Sequence, residues 1–380
     1  MTAIENYRIL VESHFGSGTA TFSPALLSNE ITGALERTDQ FIKFQEGFHA
    51  RLGRLASSYP VGNPHRPALL EAVNNVARPR NWQGAYAELV AIDFFNSDRD
   101  WLEDPIELNR DVPATETIAS AKGMSGANFD GYYPGFGVSF DVKVLQDKIG
   151  QILENIVKGA KKLISEPELA VQPEFPLDMD FRDFDAKHKD LIKELAKGLK
   201  GKAAEGHVNS SIIPGLSFRY RRTGGSLMGV SAYDPYQHAL NNHRLLFQHA
   251  KKFSRNSPSM IVFVVFPWFS ESILGVFDIG PVFYRAFSRR CFCQYASDEN
   301  PAGNVVEDLD DSVTMAEVTK SLSGVIFIED RSVLEGDAPD SSVKAFAYLN
   351  PNANHKPSRH YRHHLEALRI PIDDFEFDNY

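Results

Sequence analysis

The chain has 380 residues, of which 43% are hydrophobic and 11% aromatic, which is enough for one large domain with insertions or for two domains. Cys291 and Cys293 are the whole cysteine complement, a spacing that suits neither a disulfide framework nor a four-ligand zinc site. The longest strong apolar block is Met260–Phe266 and the start Met-Thr-Ala-Ile-Glu-Asn-Tyr-Arg lacks the basic-then-apolar layout of a signal peptide, so a cytoplasmic protein without a spanning helix is expected.

In chain order, residues 1–75 read as a helical N-terminal region, broken by the turn-rich Ser57–Pro64 and carrying no catalytic signature. Residues 82–95 place Trp82, Ala85, Leu89 and Ile92 at helical spacing. A strand is expected around Thr115–Ala121. The glycine-rich Gly123-Met124-Ser125-Gly126 that follows has no G-x-G-x-x-G or G-K-[ST] pattern and reads as a connection. Asn128–Tyr133 and Val138–Leu145 flank Pro134-Gly135 and predict a β-hairpin. A helix should start near Asp147 and continue through Ile152, Ile156 and Ala160 to Leu163.

An insertion is expected at about 166–235, with a lysine-rich helix over 187–202 and a short β-like run at Ser217–Gly225. Another helix is expected over 235–253, then a buried strand at 260–266 and two further strands at 324–329 and 343–349. This order of helix and apolar strand is that of an α/β protein. Residues 351–380 read as a polar tail, where His360 and His364 have metal-compatible i, i+4 spacing without the glutamate of H-E-x-x-H. An exposed basic helix end is the expectation there.

The chemistry concentrates in the hairpin. In its second strand Val138, Phe140, Val142 and Val144 alternate with Asp141 and Lys143, so acid and lysine share the face opposite the valines. Asp130 joins them if the first strand pairs with its polar face on that side. Two carboxylates and a lysine on rigid strands suit a divalent metal and a water to be activated. Upstream, Glu88 has Gly84, Ala85, Ala91 and Ile92 as its i±3 and i±4 neighbours, none of them a charge partner. A glutamate on the small, apolar side of a helix needs something to satisfy it; a metal would do so, and so would the edge of the stripe reaching water.

A helix with an inward Glu, a strand with Asp, a strand with D-x-K and a following helix resemble the PD-(D/E)XK nuclease superfamily over roughly residues 80–165, with a further core strand at 259–266. Glu88 matches the helix acid, Asp130 the first Asp, and Asp141 and Lys143 the (D/E)XK pair, while Phe129 replaces the proline that names the motif. The resemblance implies a restriction-endonuclease-like core, a mixed central sheet flanked by helices, over residues 76–350, framed by the helical N-terminal region and carrying the large insertion. It also implies a Mg²⁺-dependent endonuclease, with Mn²⁺ able to substitute. Asp130 and Asp141 would be the metal ligands, assisted by Glu88 and the Val142 carbonyl, and Lys143 the catalytic lysine. The implied substrate is DNA, or RNA, in defence against phage or mobile DNA or in repair and recombination. A homodimer is implied where both strands are cut.

Charge distribution is compatible with such a substrate. The net charge of −10 argues mildly against a broad grip on phosphates, yet residues 143–255 hold 19 Lys and Arg against 13 Asp and Glu. Arg219, Arg221 and Arg222 interleave with Phe218 and Tyr220; such a run can stack bases and contact phosphates, or simply be a hairpin with a basic solvent face. Gln146, three residues past the lysine, is either a further polar contact to substrate or a helix-starting residue. A protein of the same fold that binds nucleic acid or assembles with partners without cleaving is the alternative function.

Overall fold

The computed structural model describes residues 2–36, 41–79, 82–97, 105–118, 126–145, 148–174, 181–201, 203–222, 236, 239, 243–247, 250–266, 280–304, 309, 312–331 and 343–376. Two compact units are present: residues 1–145, 243–271 and 288–380 form the first, and residues 146–242 and 272–287 the second. Among the described residues no helix is long and apolar enough to cross a membrane.

The first unit is built on a mixed seven-stranded sheet of order β1-β2-β3-β7-β8-β9-β10, made of β1 (Glu107–Pro113), β2 (Gly126–Tyr133), β3 (Val138–Val144), β7 (Ser259–Val265), β8 (Gly324–Asp330), β9 (Val343–Leu349) and β10 (Ile372–Asp373). β3, β7 and β8 are parallel neighbours; β1, β2 and β3 form an antiparallel meander. The chain is thus α/β, with helices flanking a mixed sheet.

The register lines up one apolar face: Phe140, Met260 and Leu349 sit at one level, and Val142, Val262, Ile326 and Ala347 at the next. Against these pack α1 (Ala3–Phe15), α3 (Ile42–Ser58), α4 (Arg66–Asn75) and α5 (Trp82–Phe95) in one continuous core that also takes in residues of α2 (Glu30–Glu36). The helical N-terminal region is therefore part of this core. The opposite sheet face carries Phe263 stacked on Phe327, with Tyr348 edge-on to Phe327. β3, β7 and β8 are consequently buried on both faces, as parallel strands usually are.

α5 is buried almost all round, with Tyr86, Ala87, Val90, Ala91 and Phe95 added to the apolar positions read from spacing. The hairpin forms as expected, and its turn closes through the Phe136 and Gly137 N–H groups on the Tyr133 carbonyl, with Gly137 at φ 66, a conformation natural to glycine. Gly131 is required for a different reason. A Cβ there would lie 2.0 Å from the Phe140 ring, which is itself wedged between Phe95 and Tyr133.

Several expectations need correction. The strand before the hairpin is Glu107–Pro113, followed by a short 3₁₀ turn at Ala114–Glu116; residues 119–125 of the expected strand and glycine-rich connection lie outside the described residues. In the expected helix 235–253, residues 236 and 239 are helical and 3₁₀ turns lie at His243–Leu246 and Ala250–Lys252, while residues 235, 237–238, 240–242 and 248–249 are not described. The tail is not peripheral: α10 (Arg359–Ala367) buries Tyr361, His364 and Leu365, and β10 pairs with β9. Tyr361 and His364 pack against the Tyr133 and Phe136 rings of the hairpin. His364 is thus a core residue and not part of an exposed basic end. In this region the polar residues faced outward while the three apolar-packed ones did the docking, a pattern diluted by the charge around it.

The second unit begins earlier than the insertion read from sequence. α6 (Lys148–Ile164) packs Leu153, Ile156, Val157 and Ala160 against Phe184, Leu191, Leu195 and Leu199 of α7 (Phe181–Leu199). A three-stranded antiparallel sheet, β4 (Ala170–Glu174), β6 (Ser217–Arg221) and β5 (Glu205–Asn209), contributes Val208, Phe218 and Tyr220 to that core. Beyond these lie α8 (Gly280–Arg289) and, in the first unit, α9 (Met315–Ser321).

Gly131→Ala should cost about 1–3 kcal/mol through overpacking, read as a fall in the chemical-unfolding midpoint, and Phe140→Leu added to it should recover part of the loss. Removing residues 351–380 should abolish a cooperative unfolding transition of the first unit, because it uncovers the Tyr133–Phe136 aromatic cluster; an unchanged transition would show the tail to be dispensable.

Candidate active site

The four acid and lysine positions come together in the first unit, and β3 explains how. Ser139 and Leu145 donate their N–H groups to the Pro258 and Val264 carbonyls of the β7 side at 3.0 and 2.9 Å. Residues 139, 141, 143 and 145 therefore turn their backbone groups toward β7, and 140, 142 and 144 turn theirs toward β2. The β2–β3 ladder runs from Tyr133↔Val138 to Gly131↔Phe140; one step further sets Asp130 opposite Asp141. There the ladder stops, and Asp130 Oδ2 accepts a 2.6 Å hydrogen bond from the Val142 N–H. A side-chain carboxylate replaces the strand carbonyl, and alternation turns the Val142 carbonyl to the same β2 side of β3. Across β2, Leu108↔Gly131 and Arg110↔Phe129 bracket Asn109, which takes a left-handed φ of 51 opposite Asp130. Such backbone strain gathers where side chains are aimed rather than merely packed.

Asp141 is 1% exposed, and two ammonium groups attend it: Lys143 Nζ lies 2.7 Å from Oδ2, and Lys252 Nζ 2.7 Å from Oδ1. Lys143 Nζ is also 3.9 Å from Asp130 Oδ2, so one ammonium stands between the two carboxylates. Burial works to raise the Asp141 pKa, but Lys143 and then Lys252 outweigh it and hold the group below its ordinary value. Burial likewise works against the charged form of Lys143, and Asp141, Asp130 and Glu88 overcome it, raising its pKa. Asp130 has the opposite fate: burial first and the Asp141 charge second push it up, against Lys143, Lys252 and its hydrogen bond from Val142. Glu88 is pushed up to about 8 by burial, Asp130 and Asp141, with Lys143 opposing. Fully ionised, the three carboxylates would outnumber the two lysines, and burial adds to that cost, so Asp130 and Glu88 are biased toward their neutral forms.

Sequence reasoning missed Lys252, although it counted the residue in a basic run. It lies 111 positions from Asp141, and only the parallel placement of β7 beside β3 brings its preceding turn to the site. Gln146 lies outside the described residues. The arginines expected to touch substrate are in the second unit, and two of the three have partners there. Arg222 bonds Glu166 and the Leu199 and Ala203 carbonyls, which makes it a tie within that unit. Arg221 is 3.6 Å from Glu205. Phe218 and Tyr220 are buried on the opposite side of β6, so the aromatic–basic alternation is that of core against surface. Arg219 is exposed there.

For a divalent cation, the donors Glu88, Asp130, Asp141 and the Val142 carbonyl are all hard oxygens, the chemistry that Mg²⁺ takes. The Lys143 ammonium between Asp130 and Asp141 shows that a cation is accommodated there. Among the described residues, however, no three His, Cys, Asp or Glu side chains stand close enough together to hold a metal. The donor set fits in kind, and the two lysines must yield for it to close around an ion.

Comparison with known proteins adds nothing to this geometry. No family model, curated protein or solved structure matches the chain.

The raised Glu88 pKa has a signed consequence. With a folded pKa of about 8 against 4.5 for the ordinary group, the neutral carboxyl favours the fold. That stability is complete below pH 4.5 and is lost as pH rises through 8. In metal-free buffer Glu88→Gln should therefore be more stable than wild type at pH 8.5 by about 2–4 kcal/mol, and close to equal at pH 4.5. Urea unfolding at both pH values measures this; an equal difference at both would refute the assignment.

Proposed function

We propose that the chain is a metal-dependent nuclease that hydrolyses phosphodiester bonds in DNA, with a restriction-endonuclease-like arrangement of its sheet and α5. The observation that carries the reading is the placement of Lys143 Nζ 2.7 Å from Asp141 and 3.9 Å from Asp130 on β2 and β3, with Glu88 of α5 close enough to feel all three charges.

A bound Mg²⁺ or Mn²⁺ would supply positive charge to a phosphate and acidify a water beside it. Asp130, Asp141 and the Val142 carbonyl would hold the ion, with Glu88 helping to place it. Asp130 is fixed in its rotamer by the Val142 N–H, so its free oxygen is directed without cost at the moment of reaction. Lys143 is held charged by the neighbouring acids. It is therefore better suited to offset charge on the pentavalent phosphorus than to take a proton. Glu88, pushed up to about 8, and Asp130, pushed up to about 7, are the groups here able to exchange a proton near neutral pH. Action against phage or mobile DNA is the setting we propose, and two copies would be needed to cut both strands of a duplex.

One observation favours a second reading. Asp141 already has both oxygens occupied by ammonium groups, as a nuclease fold that binds nucleic acid without cleaving would keep it. The two are separated by incubating the full chain with plasmid and single-stranded DNA in Mg²⁺ or Mn²⁺. Cleavage that falls by about 10³-fold or more in Asp141→Ala and Lys143→Ala supports the nuclease. Binding that is salt-sensitive, indifferent to both substitutions and never followed by cleavage supports the other.

A further inference from the structure

Lys252 is placed with more care than a surface lysine needs. Its turn, Ala250–Lys252, is rooted by buried Phe247, Ala250 and Phe253. Backbone hydrogen bonds close it at both ends, from Ala250 N–H to Phe247 and from Phe253 N–H to Ala250. The chain just beyond is stitched to the connection between β1 and β2: Ile118 N–H donates to Phe253, Arg255 N–H to Glu116, and Thr117 bridges Ser254. A stem fixed in this way delivers its ammonium to Asp141 Oδ1 at 2.7 Å while remaining 27% exposed.

Two ammonium groups on one carboxylate exceed what neutralising Asp141 requires. Lys143 meets that need alone and is further engaged by Asp130. We infer that Lys252 has two successive partners: Asp141 in the metal-free protein, and a phosphate oxygen of the nucleic-acid substrate once a divalent cation has taken Asp141. This rests on the nuclease reading above. When the cation arrives, like charge expels the ammonium from Oδ1, and the rooted turn limits how far it travels. Its exposed edge lies, with those of Lys143 and Asp130, where the site meets solvent, while Asp141 itself is closed. Lysine suits the exchange, being a compact charge on a flexible stem that binds carboxylate or phosphate without demanding a fixed plane. In the resting state it also keeps a buried carboxylate from standing uncompensated.

The test uses the full chain as wild type, Lys252→Met, Lys252→Arg and, as a charge control, Lys251→Met. Mn²⁺ affinity is read by calorimetry. Affinity for a single-stranded DNA oligonucleotide is read by anisotropy in Ca²⁺ across a range of salt. Lys252→Met should bind Mn²⁺ about tenfold more tightly, having lost a competitor for Asp141, yet bind the oligonucleotide less tightly with a salt slope lower by about one. Lys252→Arg, able to hold Asp141 through two hydrogen bonds, should bind Mn²⁺ more weakly than wild type; it keeps the test decisive if the methionine variant does not fold. Lys251→Met should move Mn²⁺ affinity far less. Mn²⁺ affinity unaltered by either Lys252 variant, in a wild type that binds Mn²⁺ and cleaves DNA, overturns the inference alone. Tighter Mn²⁺ binding with an unchanged oligonucleotide salt slope overturns the phosphate partner. A wild type that neither binds Mn²⁺ nor cleaves overturns the nuclease reading and this inference together.

Discussion

A carboxylate buried in the middle of a sheet is the constraint from which the rest of the site follows. Asp141 lies on a strand enclosed by β2 and β7 and covered on both faces. An ionised group there is costly unless it is paired. Lys143, two residues along the same strand, is the cationic side chain that alternation places on the same face. Pairing Asp141 with Lys143 then fixes where Asp130 can go. With Gly131 opposite Phe140 on the helix face, Asp130 is turned to the other side, beside Asp141. Burial first, and then repulsion among carboxylates in one opening, is expressed in Asp130 and Glu88, the partners with less lysine to themselves. The unevenness among three acids follows from which of them the lysines reach.

The sequence made the hairpin legible because three independent signals coincide there: a Pro-Gly turn, period-two alternation, and charges confined to one register. α5 was legible as a helix, and Glu88 as its misplaced charge, though the extent of its burial was not. Its apolar residues lie all round it, and periodicity describes one stripe only. What stayed hidden depends on chain-distant pairing. Lys252 is an ordinary lysine until β7 lies parallel to β3, and no local pattern encodes that neighbour. The arginine-rich run at 219–222 was ambiguous for a related reason. Alternation of aromatic and basic residues is what any half-buried strand produces, and the ties of Arg222 to Glu166 and to two carbonyls appear only when β6 and α7 are assembled.

The C-terminal residues show the same limit in another form. Charge density over 355–369 outweighed the apolar content in the sequence, whereas docking was decided by Tyr361, His364 and Leu365 at i, i+3, i+4 spacing. An imidazole among aromatic rings packs as an amphipathic ring, so a histidine that reads as basic can be a core residue.

Positioning Glu88 is a separate problem, since it arrives on a helix and not on the strands. α5 is held on both sides of that residue by a buried polar network. Tyr86 donates its hydroxyl to Asp330 at 2.9 Å and accepts from Arg51 at 2.9 Å, while Asp93 takes Arg51 at 3.2 Å and Arg54 at 2.7 and 2.8 Å. Tyr86 and Asp93 are seven residues apart, hence on one side of the helix, and Glu88 points away from them. Arg51 therefore links α3, α5 and the end of β8 through one guanidinium. A hydrophobic core alone would let α5 slide or rotate by part of a turn at little cost, because its surface is apolar in every direction. Directional bonds from a planar guanidinium do not permit that. A buried ionic network of this kind adds little net stability; its value here is to give a uniformly greasy helix one register, and so to give Glu88 one position relative to Asp130 and Asp141.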